Sequence, residues 1–340
     1  MKLVTFRHST GHDRAGVISG SDVIDLARAF AFHEHARGRR CDEAHVFDRY
    51  GRGVLGFVEH ASHARPVADE IVELHARGAL PRDFEGAPLA TPLGSVTLRA
   101  PIPRPPSMRD GYAFRQHVLT ARRNRGLEMI PEFDQFPVFY FTNAAGVVGP
   151  GDVHVEPLHL ERLDYELEAA IVIGQEARNV AAKDADAIVF GMMIMNDWSA
   201  RALQMEEMKL NLGPAKGKDF ATGLGPWLVT MDELRERTLP TPNGAHFDLA
   251  MRARVNGKEL SRGNVKDMTW TFAQILERAS YGVTLHPGDV IGSGTCGTGC
   301  LLELNGSKIT DNLWLAPGDV VELEIDRLGV LENRVVLDKA

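Results

Sequence analysis

From residue 167 onward the chain gathers short apolar runs and breaks each with Gly, Pro, Asn or Asp. The runs cover residues 167–174, 187–195, 227–230, 250–255, 289–292, 301–304, 320–325 and 334–337. Short runs bounded by turn residues predict strands rather than helices. Val255-Asn256-Gly257-Lys258 predicts a hairpin, because Asn-Gly accepts positive φ. Two Pro-Gly-Asp turns, at residues 287–289 and 317–319, each precede a valine-rich run. Beyond residue 106, helical periods are few and cover residues 111–120, 199–209 and 271–279. Such a pattern specifies a β-rich α+β domain with a handful of helices, not an alternating βαβ sheet.

The first third of the chain reads differently. Residues 2–6 and 15–19 predict short strands, and residues 66–76 a helix with Pro66 in its first turn. Prolines at 101, 103, 105 and 106 interrupt regular structure and mark a linker. The expected division is a small α/β domain over residues 1–98 and a larger domain over 99–340. Seven of the 13 histidines fall before residue 70: His8, His12, His33, His35, His45, His60 and His63. They have no ligand spacing and read as surface residues.

A formal net charge of −8 argues against nucleic acid or an anionic membrane as partner. An anionic substrate then needs local cations, such as a bound metal with Lys and Arg beside it. Three cysteines, Cys41, Cys296 and Cys300, make no disulfide framework and suit a reducing, cytoplasmic setting. Without a second Cys pair or a Cys/His cluster, a structural zinc site is not expected. The N-terminus lacks the apolar core of a signal peptide, and residues 187–195 are too few to span a bilayer.

Chemistry concentrates in four acids. Residues 163–174 predict one strand, so Glu166 and Glu168 share a face. Two adjacent carboxylates repel by roughly 4 kcal/mol at an effective dielectric near 20. Either the strand is an edge with both acids in water, or the pair holds a cation or a shared proton. Asp110 is expected at the N-terminus of the 111–120 helix, with His117 two turns along the same side. Asp197 ends an apolar strand, and Ser199 is expected to cap the helix that follows. Arg201 and Gln204 share a face of that helix. The glycine-rich loop over residues 213–223 carries Lys216 and Lys218 but fails the Walker pattern. Residues 292–297 match G-x-G-x-x-G, yet a turn and strand are expected next, so a dinucleotide site is rejected. These glycines are expected to let backbone approach a ligand closely.

Together the strings resemble the fumarylacetoacetate hydrolase family, and most nearly its fumarylacetoacetase branch, over roughly residues 100 to 335. They are Asp110-x-Tyr112-x-x-Arg115-Gln116-His117, Leu163-Asp164-x-Glu166-Leu167-Glu168, Asn196-Asp197-Trp198-Ser199-Ala200-Arg201-x-x-Gln204, Gly217-Lys218-x-Phe220, and Gly292-Ser293-Gly294-Thr295 followed by Leu302-Glu303-Leu304. The resemblance implies a small N-terminal domain, a C-terminal β-sandwich roll and a homodimer. It implies Asp110, Glu166, Glu168 and Asp197 as ligands of a divalent cation. Oxygen ligands favour Mg²⁺ or Ca²⁺, with Mn²⁺ also admissible. His117 then matches the general base and Glu303 its partner. Lys218, Gln204 and Arg201 match oxyanion donors. Tyr112, Tyr140 and Thr295 match substrate contacts. The implied activity is hydrolysis of a carbon–carbon bond in an anionic 1,3-diketone acid from aromatic or tyrosine catabolism. A 2-oxoacid decarboxylase, a dienol tautomerase and a non-catalytic metal-stabilised binding protein are the alternatives. The chain departs from the family at Ala202, which replaces an acid, and at Met208, which replaces an aromatic. Arg122, Arg123 and Arg125 are candidates to grip a distal carboxylate.

Overall fold

A computed structural model describes residues 1–8, 11–39, 41, 46, 53–211 and 213–338. Its largest element is a 12-stranded sheet. The main path runs Ala90–Pro92, Asp22–Asp25, Asp13–Ser19, Lys2–Arg7, Thr222–Thr230, Val189–Asp197, Leu167–Ile173, Val290–Gly292, Met108–Gly111 and Phe139–Phe141. Neighbours on this path are antiparallel except Met108–Gly111, which runs parallel to Val290–Gly292. A second, five-stranded sheet is ordered Gly151–Val155, Gly329–Leu337, Val320–Ile325, Ala250–Val255 and Lys258–Asn264. The predicted hairpin joins the last two strands, with Asn256 at φ 52° and Gly257 at φ 75°.

The period of two along the central strands divides the interior. Leu167, Ala169, Ile171 and Ile173 pack against Met251, Ala253, Val321, Leu323 and other residues of the second sheet. The alternate residues Ala170 and Val172, with Met193, Met195 and Met108 on neighbouring strands, face the N-terminal layer. That layer comprises the helices Leu26–Ala36, Val54–Glu59 and Ala61–Ala76. Each Val, Leu, Ile or Met side chain so buried stabilises the fold by about 1.5–3 kcal/mol. The central sheet is thus apolar on both faces, which is why its strands read as continuous apolar runs rather than alternating ones.

The N-terminal strands are not a separate sheet. Lys2–Arg7 pairs with Thr222–Thr230, so the sheet runs straight across the expected boundary near residue 98. The proline segment is packed rather than loose: Ile102 is fully buried, and Thr5 Oγ1 donates to Pro101 O at 2.7 Å.

Several local expectations are corrected. The Ala61–Ala76 helix begins five residues before Pro66, because Ala64, Ala68 and Ile71 supply a buried stripe that extends it backward. His33 is buried, with Nε2 3.1 Å from a Glu70 carboxylate oxygen, so it is not a surface histidine; His45 lies outside the described residues. Residues 301–304 are helical, within Leu301–Gly306. The cause is tertiary: the Asp164 carboxylate accepts from Leu301 N at 2.7 Å and Leu302 N at 3.0 Å, satisfying donors that open a helix.

Candidate metal centre and active site

The stripe that faces the N-terminal layer becomes acidic at one end of the sheet. Counting by twos, Val172 and Ala170 lead to Glu168 and Glu166. Met193 and Met195 lead to Asp197, and Met108 leads to Asp110. Oxygens from Asp110, Glu166, Glu168 and Asp197 lie within 4.8 Å of one another, and all four residues are buried. Pairing holds them there: Glu168 opposes Met195, and Gly292 opposes both Ala170 and Asp110. The edge-strand reading of the Glu166–Glu168 pair therefore fails, since Leu167–Ile173 lies inside the sheet.

Glycine makes room for this cluster. A Cβ on Gly292 would stand 2.5 Å from Asp110 Oδ1, 2.8 Å from Met195 Sδ and 3.0 Å from Glu168 Oε2. Gly294, at φ 76°, donates its N–H to Asp110 Oδ1 at 3.1 Å and to Glu168 Oε2 at 3.2 Å. The G-x-G-x-x-G string thus closes on carboxylates. A short helix does follow it, against expectation, but Asp164 occupies that helix's first N–H groups.

Two cations enter the cluster. Lys218 Nζ donates to Glu166 Oε2 at 2.7 Å and to Asp197 Oδ2 at 2.6 Å. Gly217 lets its loop press on the Arg201–Met208 helix, where any Cβ would meet Gln204 at 2.7 Å. Arg201 reaches Asp164 at 2.8 Å, Glu166 at 2.7 Å and Gln204 Oε1 at 3.0 Å. Burial alone would raise the Glu166 carboxyl, but Lys218 and Arg201 outweigh it and hold it well below the usual range. Burial, reinforced by the Asp197 charge, pushes Asp110 up to about 7. Burial and then Asp110 and Glu166 push Glu168 well above its ordinary value.

The residues fit a hard divalent ion. The donor set is all oxygen. Asp197 Oδ1 is buried with no hydrogen-bond partner among the described residues. Its other oxygen already accepts from Lys218 and from the Tyr140 hydroxyl. When all are ionised, five buried acids, counting Asp164, outnumber the two cations by three charges, and a divalent ion reduces that excess to one.

Beside the acids opens a cavity of about 630 Å³. His117 and Glu303 line it, with His117 Nδ1 2.6 Å from Glu303 Oε2. That contact fixes the ring and leaves Nε2 free of it. Tyr112, Tyr140, Thr295, Gln204, Lys218, Arg201 and Met208 also line the cavity, so the candidate metal ligands apart from the deeply set Asp197, the candidate base and its partner, the oxyanion donors and the three tyrosine and threonine contacts all border it. Of the three candidate arginines, Arg125 alone among the lining residues borders it, and its charge opposes the burial that raises the Tyr112 hydroxyl. Arg122 instead donates to Glu128 O.

Three placements differ from expectation. Asp110 is on the Met108–Gly111 strand, and the helix starts only at Arg115. The pairing of Asp110 with Gly292 and Tyr140 outweighs the local helical pattern. Ser199 does not cap the Arg201–Met208 helix; its Oγ donates to Asp197 O at 2.9 Å. Tyr165 and Glu166 interrupt the predicted strand, with Glu166 N donating to Asn196 Oδ1 at 3.0 Å. Sequence reasoning also passed over Asp164, fully buried against Arg201. Its signal was present: Asp164, Glu166 and Glu168 are three acids at a period of two.

Residues 107–336 match the family described as Fumarylacetoacetate (FAA) hydrolase C-terminal. Fumarylacetoacetase of Oryza sativa subsp. japonica is 33% identical over 223 residues, 52% of this chain and 52% of that protein. The match thus spans about half the length of that relative. Oxaloacetate tautomerase YisK of Bacillus subtilis (strain 168) is 32% identical over 251 residues, 72% of this chain and 74% of that protein. A solved fumarylacetoacetate hydrolase from psychrophilic Exiguobacterium antarcticum superposes with a TM-score of 0.68 at 25% identity, covering 99% of this chain and 100% of that one. Relatives with hydrolase and with tautomerase names match about equally, so similarity does not select the fumarylacetoacetase branch. Among the described residues no helix is long and apolar enough to cross a membrane. The match over most of its length makes this chain a member of the fumarylacetoacetate hydrolase family.

Proposed function

We propose that this chain hydrolyses a carbon–carbon bond of a small 1,3-diketone acid in the cavity beside the acidic cluster. The observation that carries the reading is the His117–Glu303 contact of 2.6 Å at the edge of that cavity. Asp110, Glu166, Glu168 and Asp197 would hold Mg²⁺, Ca²⁺ or Mn²⁺, which when bound supplies Lewis-acid polarisation of a substrate oxygen.

The chain's own residues do the rest. His117 Nε2 takes a proton from water while Glu303 holds the Nδ1 side and offsets the imidazolium charge. The water oxygen bonds to one carbonyl carbon. The third ammonium proton of Lys218 and the Gln204 amide offset the charge on the resulting oxyanion, at about 3–4 kcal/mol for a well-placed donor. The bond between that carbon and the methylene carbon then breaks, its electron pair passes into the departing enolate, and His117 returns the proton to carbon. Arg201 is a positioning residue here, because its contacts to Asp164, Glu166 and Gln204 engage its Nε and both terminal nitrogens. Arg125 serves a distal substrate carboxylate.

A second reading rests on the tautomerase relative, which is 32% identical over 72% of this chain. Keto–enol exchange of a 2-oxoacid needs the same proton carrier and no attacking water. The test is a panel of acylpyruvates, fumarylacetoacetate and oxaloacetate with each of the three ions. Loss of diketone absorbance with release of two acids supports hydrolysis. Enol–keto exchange of oxaloacetate without any cleavage of diketones overturns it.

A further inference from the structure

Cys300 has no part in that chemistry, yet it is built into the same wall. Its Sγ, a ring nitrogen of His117 and a carboxylate oxygen of Glu303 lie within 4.8 Å of one another. All three residues are buried, and all three line the cavity, so an ion entering the cavity meets them together. The Glu303 backbone N–H and the positive charge of Arg201 both favour a thiolate there. Burial outweighs them and keeps the thiol protonated in the absence of an ion.

The donor set differs in kind from the neighbouring acids. Four carboxylates suit a hard ion, whereas sulfur, imidazole nitrogen and one carboxylate suit zinc(II). The spacing of Cys296 and Cys300 alone offered no such site, because the nitrogen comes from a helix nearly two hundred residues away in sequence. We propose that His117, Cys300 and Glu303 form a second, inhibitory metal site that takes zinc(II) and disables the base. Binding breaks the Cys300 S–H bond and the hydrogen bond between His117 and Glu303. The displaced protons pass to solvent, and no oxidation state changes. An imidazole that ligates zinc, with its carboxylate partner drawn to the same ion, no longer takes a proton from water.

Cobalt(II), added to the protein already saturated with Mg²⁺, is the probe. A thiolate-to-cobalt charge-transfer band is expected in wild-type protein and in the Cys41→Ser/Cys296→Ser variant, where Cys300 is the last thiol. Zinc should abolish the band by competition, and Cys300→Ser should lack it. In turnover, zinc inhibits wild type and a chelator restores it. Cys300→Ser keeps its basal rate and needs roughly a hundredfold more zinc for the same inhibition. Absence of the band in the Cys41→Ser/Cys296→Ser variant overturns the proposal, as does equal zinc sensitivity of Cys300→Ser and wild type. The band needs no turnover, so its outcome is separate from the identity of the reaction and from the folding of Cys300→Ser.

Discussion

Arg109 and Asp110 are neighbours on one strand, and they point to opposite faces of the sheet. On one face the Arg109 guanidinium lies 3.8 Å from Asp289, both side chains buried. Ser107 bridges them, accepting from Arg109 at 2.8 Å and donating to Asp289 at 2.7 Å, and Phe139 and Phe141 cover the cation. One charge answers one charge. On the other face Asp110 joins an acidic cluster that its two cations do not balance. Balanced burial is structure for its own sake; imbalance a few ångströms away is the signature of a ligand the fold anticipates.

The largest expected effect concerns the unbalanced face. His117→Ala lowers kcat by about two to four orders of magnitude, while the affinity for Mg²⁺, measured by calorimetry, changes little. A fully active variant removes His117 as the base.

The next effect is a pH dependence of unusual sign. Asp110 holds its proton up to about 7 in the folded, metal-free protein, against an ordinary value of 3.8. Between these values the native state binds more protons than the unfolded one, so stability falls as pH rises. Glu168 acts in the same direction. The loss is on the order of 4 kcal/mol across the window. Metal-free Tm should therefore drop from about pH 4 to about pH 7. With Mg²⁺ in excess the trend reverses, because the ion requires the ionised acids. A metal-free Tm that rises through this window contradicts the raised carboxyls.

Paired substitutions then test the two faces directly. Asp289→Asn strands a buried guanidinium and costs about 3 kcal/mol of stability. Glu168→Gln does not lower the metal-free Tm, yet it weakens Mg²⁺ binding by roughly a hundredfold. Chemical denaturation with and without the ion reads both. The smallest effect falls on the cavity wall: Arg125→Leu should raise KM for a dicarboxylate about tenfold, or about 1.4 kcal/mol, with kcat and a monocarboxylate substrate largely unaffected.

The parts of this site legible in the sequence are those set by a local period. Glu166 and Glu168 share a face because strands alternate, and the Val255–Lys258 hairpin follows from Asn-Gly. The parts that were misread depend on distant partners. Asp110 looked like a helix cap because nothing nearby announces its pairing with Gly292 and Tyr140. Residues 301–304 looked like a strand because the carboxylate that opens their helix belongs to Asp164. Gly292 reads from sequence as a place where backbone approaches a ligand; the side chains converging from three strands give the nearer reason, since a methyl group there would meet Asp110, Met195 and Glu168.

The continuity of the large sheet has a practical corollary for anyone dissecting this protein. A fragment begun at residue 99 would lose the partner that covers Leu228 and Val229, baring a raw strand edge. It would also strip the apolar roof from Ala170, Val172, Met193 and Leu224. Such a fragment should aggregate rather than report on catalysis, and its inactivity would say nothing about where the chemistry resides.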